Sequence, residues 1–265
     1  MNPKFSIIVP VYSQDDQNFD RKQTINRTIR SIINQQFPDW ELILVDDGCR
    51  DDMPEILDIW AVKDSRIKVL HQPNLNRAVA RNNGMDYATG EWLCWLDSDD
   101  EYCSHYLREL DKATKDFPEY SIFNFDSIIY FPDHRSQLRG VFLPKREGDG
   151  HEWFKSGHIG SGSFIFKREL WNSDPKYRIP DECSPYGFAA VSGFDMRNPD
   201  RPELFIDERF KEAKGGLNIG DSLGNPWGDD FLQFYYLTRD NYSMPLDVAL
   251  YIQYPRSSED AYEYF

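Results

Sequence analysis

The sequence predicts an α/β fold in which helices flank a mainly parallel central sheet. In the first half of the 265-residue chain, short apolar runs alternate with segments of helical period, which is the pattern of strand–helix units around a parallel sheet. Hydrophobic residues make up 40% of the chain, and this is enough to build one sizeable core. We therefore expect a single domain over residues 1–265.

The elements of the first half follow from the period of the apolar residues. The predicted strands are Phe5–Tyr12, Glu41–Asp46, Ile67–His71, Glu91–Leu96 and Ser121–Phe131. The predicted helices are Gln23–Gln36, Met53–Lys63, Arg77–Ala88 and Ser104–Phe117.

The second half has a weaker pattern. Residues 132–154 are rich in Pro, Gly and charge and predict a loop or hairpin, which leads to a strand at Ser163–Lys167. The segment from about residue 172 to residue 227 contains many of the chain's Pro and Gly residues. We expect it to form an irregular insertion that serves as a lid or binding surface. A helix over Asp229–Thr238 and a strand over Val248–Tyr254 are predicted to follow.

Composition argues against several classes of partner. A formal charge of −15 disfavours binding to nucleic acid or to anionic lipid. No apolar run approaches the roughly 20 residues of a membrane-spanning helix, and the first residues lead into a strand rather than a signal peptide. The four cysteines are scattered and indicate reduced thiols rather than a zinc site. We expect a cytoplasmic protein with at most peripheral contact with the inner face of the membrane.

Three carboxylates follow the fourth predicted strand. The segment Trp92–Leu96 is apolar, and Asp97, Ser98, Asp99 and Asp100 come directly after it. Ligands of open parallel sheets bind at the carboxyl ends of strands, and crowded carboxylates suit a hard divalent cation that also neutralises a diphosphate. A metal–phosphate site is one interpretation of this cluster. The other is that Asp99 or Asp100 caps the following helix.

A second acidic pair, Asp46 and Asp47, ends the second predicted strand and precedes Gly48. Both strand ends should meet at one crevice, because they lie at the same edge of the sheet. An Asx-turn is the alternative interpretation of this pair. Arg81 lies on the helix before the fourth strand. If it faces this crevice it would suit a phosphate or a carboxylate partner, and the alternative is that it lies on a solvated helix face.

Four motifs in this order and spacing resemble the family 2 glycosyltransferases. They are Phe5–Tyr12, Leu44–Gly48, Ala80–Gly84 and Gly90–Asp100. The resemblance implies a GT-A type fold with a Rossmann-like nucleotide-binding half, residues 1–110, and an acceptor-binding half, residues 111–265. The sequence departs from the family pattern at Pro73–Asn76, which lacks glycine, and at Asp229-Asp230, where Glu-Asp is commoner.

The resemblance also implies roles for residues at matching positions. Pro10, Val11 and Tyr12 would border the nucleotide, and Asp46 would hold its base with Asp47 beside it. Arg81 would lie near the nucleotide, Asp97 would face the ribose, and Ser98 would also belong to the binding site. Asp99 would bind Mn²⁺ or Mg²⁺, with Asp97 and Asp100 as further candidate ligands. Asp230 would be the catalytic base, with Asp229 beside it.

These roles imply an inverting, metal-dependent glycosyltransferase. It would move a sugar from a nucleotide-diphosphate sugar, with UDP favoured, to a hydroxyl of a saccharide, lipid-linked or protein-linked acceptor in polysaccharide or glycoconjugate biosynthesis. A degenerate sugar-nucleotide-binding scaffold remains an alternative. A nucleotidyltransferase is disfavoured because the first strand is followed by Gln14–Gln17 rather than a Gly-rich phosphate loop.

Overall fold

The computed structural model describes residues 2–14, 21–130, 136–139, 162–179, 233, 237 and 241–254. Its strands are β1 (Phe5–Val11), β2 (Trp40–Asp47), β3 (Ile67–Gln72), β4 (Trp92–Trp95), β5 (Glu101–Tyr102), β6 (Ile122–Tyr130), β7 (Ser136–Arg139), β8 (Phe164–Lys167) and β9 (Ser243–Gln253). Its helices are α1 (Arg21–Ile33), α2 (Met53–Lys63), α3 (Arg77–Tyr87), α4 (Tyr106–Asp116) and α5 (Arg168–Ser173), and a 3₁₀ turn covers Pro175–Tyr177.

The described strands form one sheet in the order β3-β2-β1-β4-β8-β6-β9-β5, with β7 paired to β6. The four strands from β3 to β4 are parallel. Strand β8 is antiparallel to both β4 and β6, so β6 and its parallel neighbour β9 run in the same direction as β4. The prediction of a mainly parallel sheet in an α/β fold is confirmed.

Side chains alternate between two apolar layers, as the period of a strand requires. On β1, Ile7 and Val9 pack with α1, α2 and α4 on one face. Ile8 packs with α3 and α5 on the other face. The parallel strands are buried on both faces, which explains why they appear in the sequence as almost continuous apolar runs.

Helix α3 lies unusually close to the sheet at Gly84. A Cβ atom there would lie 2.5 Å from Ile8 Cγ2 and 2.9 Å from Val45 Cγ2. Glycine is therefore required by the packing distance. Since α3 begins at the carboxyl edge of the sheet, this close contact also brings Arg81, one turn earlier, against the end of β4.

The structure corrects the predicted bounds of the last strand. Strand β9 begins at Ser243, five residues before the predicted start at Val248. It includes Pro245, which pairs with Asn124 of β6, whereas β5 pairs only with Tyr251 and Ile252. Proline is tolerated here because no second described strand borders β9 at this level.

The hairpin alternative for residues 132–154 is confirmed in part, since β7 pairs with β6 in antiparallel register. The predicted insertion at 172–227 lies outside the described residues from residue 180 onward. Within the part of the chain that the structure describes, no helix is both long and apolar enough to cross a membrane.

Candidate functional site

The carboxyl ends of the parallel strands β1, β2 and β3 bring the predicted nucleotide-binding residues side by side. Val11 pairs with Asp46, and Asp46 pairs in turn with His71. Pro10 pairs with Val45, and Tyr12 follows the end of β1. The sheet register therefore places Pro10, Val11, Tyr12 and Asp46 at one edge, as the sequence predicted.

Asp46 forms the floor of this edge. Its side chain is only 6% exposed. Oδ1 accepts a hydrogen bond from the Cys49 backbone N–H at 2.8 Å, and Oδ2 lies 2.8 Å from His71 Nδ1. Gly48, which lies between Asp46 and Cys49 in the sequence, has a φ of 71°. A Cβ atom on this residue would lie 2.5 Å from the Asn74 backbone nitrogen. One Asp46 oxygen thus bonds the turn that follows β2, but at the third residue along rather than at the second, where a standard Asx-turn closes.

Asp47 holds the loop that leads to α3. Its carboxylate accepts hydrogen bonds from the backbone N–H groups of Leu75 and Asn76 at 2.8 and 3.1 Å, and from Gln72 Nε2 at 2.7 Å. Burial raises the pKa of Asp47 despite these donors. In this structure Asp47 shapes the site through the loop.

Asn76 lies at the start of α3, in the segment Pro73–Asn76 that lacks the glycine of the family pattern. It has a φ of 88° and a ψ of 162°, a region of backbone conformation that is almost confined to glycine. Its side chain also caps the helix, because Oδ1 accepts from the backbone N–H groups of Ala78 and Val79. The two capping bonds and the hydrogen bond from the Asn76 N–H to Asp47 therefore hold a backbone conformation that is strained for asparagine.

Arg81 is completely buried and pairs with Asp97 rather than facing solvent. Its Nη2 lies 2.6 Å from Asp97 Oδ1, and the Asp97 side chain is 21% exposed. The guanidinium carbon also lies 5.1 Å from the centre of the Trp95 ring, within reach of a cation–π interaction. The pair joins α3 to the segment that follows β4.

Asp99 and Ser98 are both buried at the end of this segment. Arg21 Nη1 lies 3.3 Å from Asp99 Oδ2, and Arg27 Nη2 donates to the Asp99 carbonyl oxygen at 2.5 Å. Both arginines come from α1. The first turns of α1 thus supply positive charge beside the acidic cluster.

Asp100 is turned to the last strand. Oδ2 accepts a hydrogen bond from the Tyr251 hydroxyl at 2.5 Å, and Oδ1 accepts from the Tyr254 backbone N–H at 2.9 Å. Burial, then the charges of Asp99 and Asp97, raise the pKa of Asp100 well above its usual value. Asp100 therefore links the end of β9 to the acidic cluster.

The helix-cap interpretation of Asp99 and Asp100 is wrong. Helix α4 begins at Tyr106 rather than Ser104, with His105 at its N-cap and no side-chain capping bond. The two-residue strand β5 lies between the cluster and the helix. The acidic residues are therefore not explained by capping.

The acidic cluster is chemically compatible with a divalent cation. Asp97 and Asp99 supply carboxylate oxygens, the ligands that Mg²⁺ and Mn²⁺ prefer. Both lie close enough to Asp100 for their charges to raise its pKa. Among the described residues, no three His, Cys, Asp or Glu side chains are grouped to hold a metal ion. Two carboxylates suit a cation that completes its coordination with phosphate and water.

Sequence reasoning missed several residues that contact the predicted site. They are Arg21 and Arg27 from α1, His71 from β3, and Tyr251 and Tyr254 from β9. None of them carried a clear sequence signal, although His71 falls at the end of a predicted strand. The others lie far along the chain from the residues that they contact.

The predicted base, Asp230, and its neighbour Asp229 lie outside the described residues. Gln233 and Leu237 of the same predicted helix are described, and both are helical and buried. Gln233 Nε2 donates to the Tyr177 carbonyl oxygen at 3.0 Å and lies 3.6 Å from Met85 Sδ of α3. These contacts tie the helical residues to the element that carries Arg81.

Two curated glycosyltransferases are similar to this chain in sequence. The glycosyltransferase YibD of Escherichia coli is 32% identical over 163 residues, which cover 58% of this chain and 44% of YibD. The Campylobacter jejuni GalNAc(5)-diNAcBac-PP-undecaprenol beta-1,3-glucosyltransferase is 37% identical over 110 residues, which cover 41% of this chain and 33% of that enzyme. The chain thus spans less than half the length of either relative.

Solved structures of Staphylococcus aureus TarS residues 1–349 resemble the fold. One crystal structure of TarS 1–349 and a second one in complex with UDP give the same values. Each has a TM-score of 0.60 and 20% sequence identity, and the match covers 98% of this chain and 63% of TarS 1–349. At that identity the likeness concerns the fold, which is therefore of the GT-A type that the sequence predicted.

The sequence motifs and the strand ends that carry them fall within a single family match. The model of the family described as "Glycosyl transferase family 2" matches residues 6–173, which is more than half of the 265 residues. That range contains Asp46, Arg81 and the acidic cluster. The chain is a member of glycosyl transferase family 2.

Proposed function

We propose that this protein transfers a sugar from a UDP-sugar to an acceptor hydroxyl with inversion at the anomeric carbon. One observation carries the proposal: a single edge of the sheet brings together Asp46, the Arg81–Asp97 pair and Asp99. Asp46, Asp97 and Asp99 offer carboxylate acceptors where a ligand of a parallel sheet binds, and Arg21 supplies positive charge beside Asp99. Membership of the family, and the complex of TarS with UDP, support the same class of donor.

The proposed donor site assigns the nucleotide to the ends of β1 and β2. Pro10, Val11 and Tyr12 border it, and Asp46 accepts a hydrogen bond from the base. Each carboxylate oxygen has two lone pairs, so Asp46 can accept this bond in addition to those from Cys49 and His71. Arg81 fixes Asp97 beside the ribose.

Asp99, with Asp97, would hold Mg²⁺ or Mn²⁺ against the diphosphate of the donor. When bound, such a cation stabilises the negative charge that develops on the leaving phosphate oxygen. Arg21 and Arg27 lie beside Asp99 and add positive charge at the same place. Asp100 contributes by securing β9 to the cluster rather than as the main ligand.

The acceptor hydroxyl needs a base because it is a poor nucleophile at neutral pH. Asp230 would accept its proton as the oxygen attacks the anomeric carbon, and the bond from that carbon to the diphosphate breaks in the same displacement. UDP leaves without needing a proton. Attack from the side opposite the leaving group inverts the configuration, and no sugar is attached to the protein at any stage.

A donor-turnover assay tests this function. Natural protein would be incubated with UDP-glucose, UDP-N-acetylglucosamine or GDP-mannose, with Mn²⁺ and a mixture of saccharide acceptors, and released nucleotide would be measured. We expect UDP from at least one UDP-sugar and a product of inverted configuration by NMR. Nucleotide binding without any release of UDP would contradict the transferase proposal and favour a sugar-nucleotide-binding scaffold.

A further inference from the structure

His71 lies between two carboxylates at the edge of the donor site. Its Nδ1 is 2.8 Å from Asp46 Oδ2, and its Nε2 is 3.2 Å from Asp58 Oδ1 of α2. An ionised carboxylate can only accept hydrogen bonds. Both contacts therefore exist together only when both ring nitrogens carry a proton, which makes His71 an imidazolium cation.

The surroundings of His71 favour the charged form. The hydrogen bond with Asp46 raises the pKa of His71 most, and Asp58 raises it further, while partial burial acts in the opposite direction. The elements packed against β3 are β2 and α2, and the charged groups that they direct at the ring are Asp46 and Asp58. The imidazole side chain is 46% exposed, so it exchanges protons freely with solvent.

Protonation of His71 determines how Asp46 is held. The Cys49 N–H fixes one Asp46 oxygen and His71 fixes the other. A neutral imidazole has one donor and one acceptor, so loss of the proton sets a lone pair against either Asp46 or Asp58. In the molecules that lose the Asp46 contact, the Cys49 N–H alone holds the carboxylate.

We propose that His71 is a positioning residue of the donor site: its imidazolium, held between Asp46 and Asp58, orients the Asp46 carboxylate for the nucleobase, so that donor affinity falls as His71 deprotonates. This inference rests on the proposed function, in which Asp46 accepts a hydrogen bond from the base. His71 itself need not touch the nucleotide.

The sign of the pH effect follows from the direction of the shift. The pKa of His71 in the folded protein is raised above its unfolded value of about 6.5. The ion pairs are therefore fully present below about pH 6.5 and are lost as pH rises through the folded pKa. Both stability and donor affinity should decline over that window.

The test is calorimetric titration with UDP-glucose in the presence of Mg²⁺ from about pH 6 to about pH 8.5. UDP-glucose is used because its diphosphate, being esterified at both ends, does not titrate in this range. We expect affinity to fall about twofold, because roughly half of the neutral imidazoles would carry their proton on Nε2 and leave Asp46 without this hydrogen bond. His71→Gln, which keeps a side-chain N–H donor that does not titrate, should remove the pH dependence.

Two further variants separate positioning from general damage. Asp58→Asn leaves Asp46 untouched but lets a neutral His71 keep both contacts, so its donor affinity should fall less across this pH range than that of the natural protein, although His71 should deprotonate at a lower pH without the Asp58 charge. His105→Gln changes another histidine, at the start of α4, and should leave the pH profile unchanged. NMR titration of the histidine ring protons, with His71 assigned from the His71→Gln spectrum, should give a midpoint above about 6.5.

The outcomes distinguish the inference from the function on which it rests. Absence of binding of both UDP-glucose and UDP-N-acetylglucosamine at every pH would overturn the proposed function and the role of His71 with it. Binding whose pH profile is the same in the natural protein and in His71→Gln would overturn only the role of His71. A His71 midpoint at or below about 6.5 would do the same.

Discussion

Replacing Arg81 by Met is expected to lower the free energy of unfolding by about 3 kcal/mol, because it removes one partner of a buried ion pair. Arg81 is fully buried and lies 2.6 Å from Asp97, whose side chain is 21% exposed. Methionine fills much of the same space, so the loss measures charge more than volume. Asp97 would then remain close to Asp99 and Asp100 without its arginine partner.

Urea unfolding followed by tryptophan fluorescence measures this change. Arg30→Met is the matched control, because it makes the same substitution on the exposed face of α1 and should change stability by less than about 0.5 kcal/mol. If Arg81→Met cost no more than the control, Arg81 would not be the charge that stabilises Asp97 in the folded protein.

Replacing Asp230 by Asn is expected to lower the rate of sugar transfer by about 10²- to 10⁴-fold, the usual contribution of a general base. Asparagine keeps the size of the side chain but does not accept a proton at neutral pH. Donor affinity should be unchanged, since Asp230 acts on the acceptor. The measurement is kcat for UDP release, together with UDP affinity of the same variant.

Asp229→Asn provides the comparison for Asp230. The two residues are adjacent at the start of a predicted helix, and a helix N-terminus favours the charged form of either carboxylate. We expect the Asp229 variant to lose much less activity. A larger loss in Asp229→Asn would assign the base to Asp229, and a loss below about tenfold in both would exclude a general base at this pair.

Local patterns were sufficient to predict most of the sheet edge. Asp46 and Asp97 each end an apolar run, and the parallel sheet places both at its carboxyl edge. The prediction works because it depends only on strand direction and on residues adjacent in sequence. The same reasoning placed Arg81 on the right helix, although its complete burial became evident only with the packing of α3 at Gly84.

Contacts between distant segments could not be predicted in this way. Asp100 looks in sequence like Asp99, yet its oxygens bind Tyr251 and Tyr254, more than 150 residues away. Which carboxylate of the cluster faces a ligand and which secures a strand depends on where β9 joins the sheet. The sequence does not predict that position, because Pro245 interrupts the apolar pattern and the predicted strand begins at Val248 instead of Ser243.

His71 shows a further limit of pattern reasoning. A histidine at the end of a strand is usually a surface residue, and nothing in the segment Ile67–Gln72 distinguishes it. Its significance comes from pairing beside Asp46 in the sheet and from Asp58 on the helix that packs over the strand. Both neighbours are defined only by tertiary structure.

Calorimetric titration of UDP, with and without Mn²⁺, into the natural protein and the Asp99→Ala variant tests the central claim most directly. Asp116→Ala, an exposed aspartate at the end of α4, serves as the control. We expect Mn²⁺ to strengthen UDP binding at least about tenfold in the natural protein and in the control, and Asp99→Ala to lose that gain. Failure of the natural protein to bind UDP with or without Mn²⁺ would contradict a UDP-sugar site at this edge of the sheet.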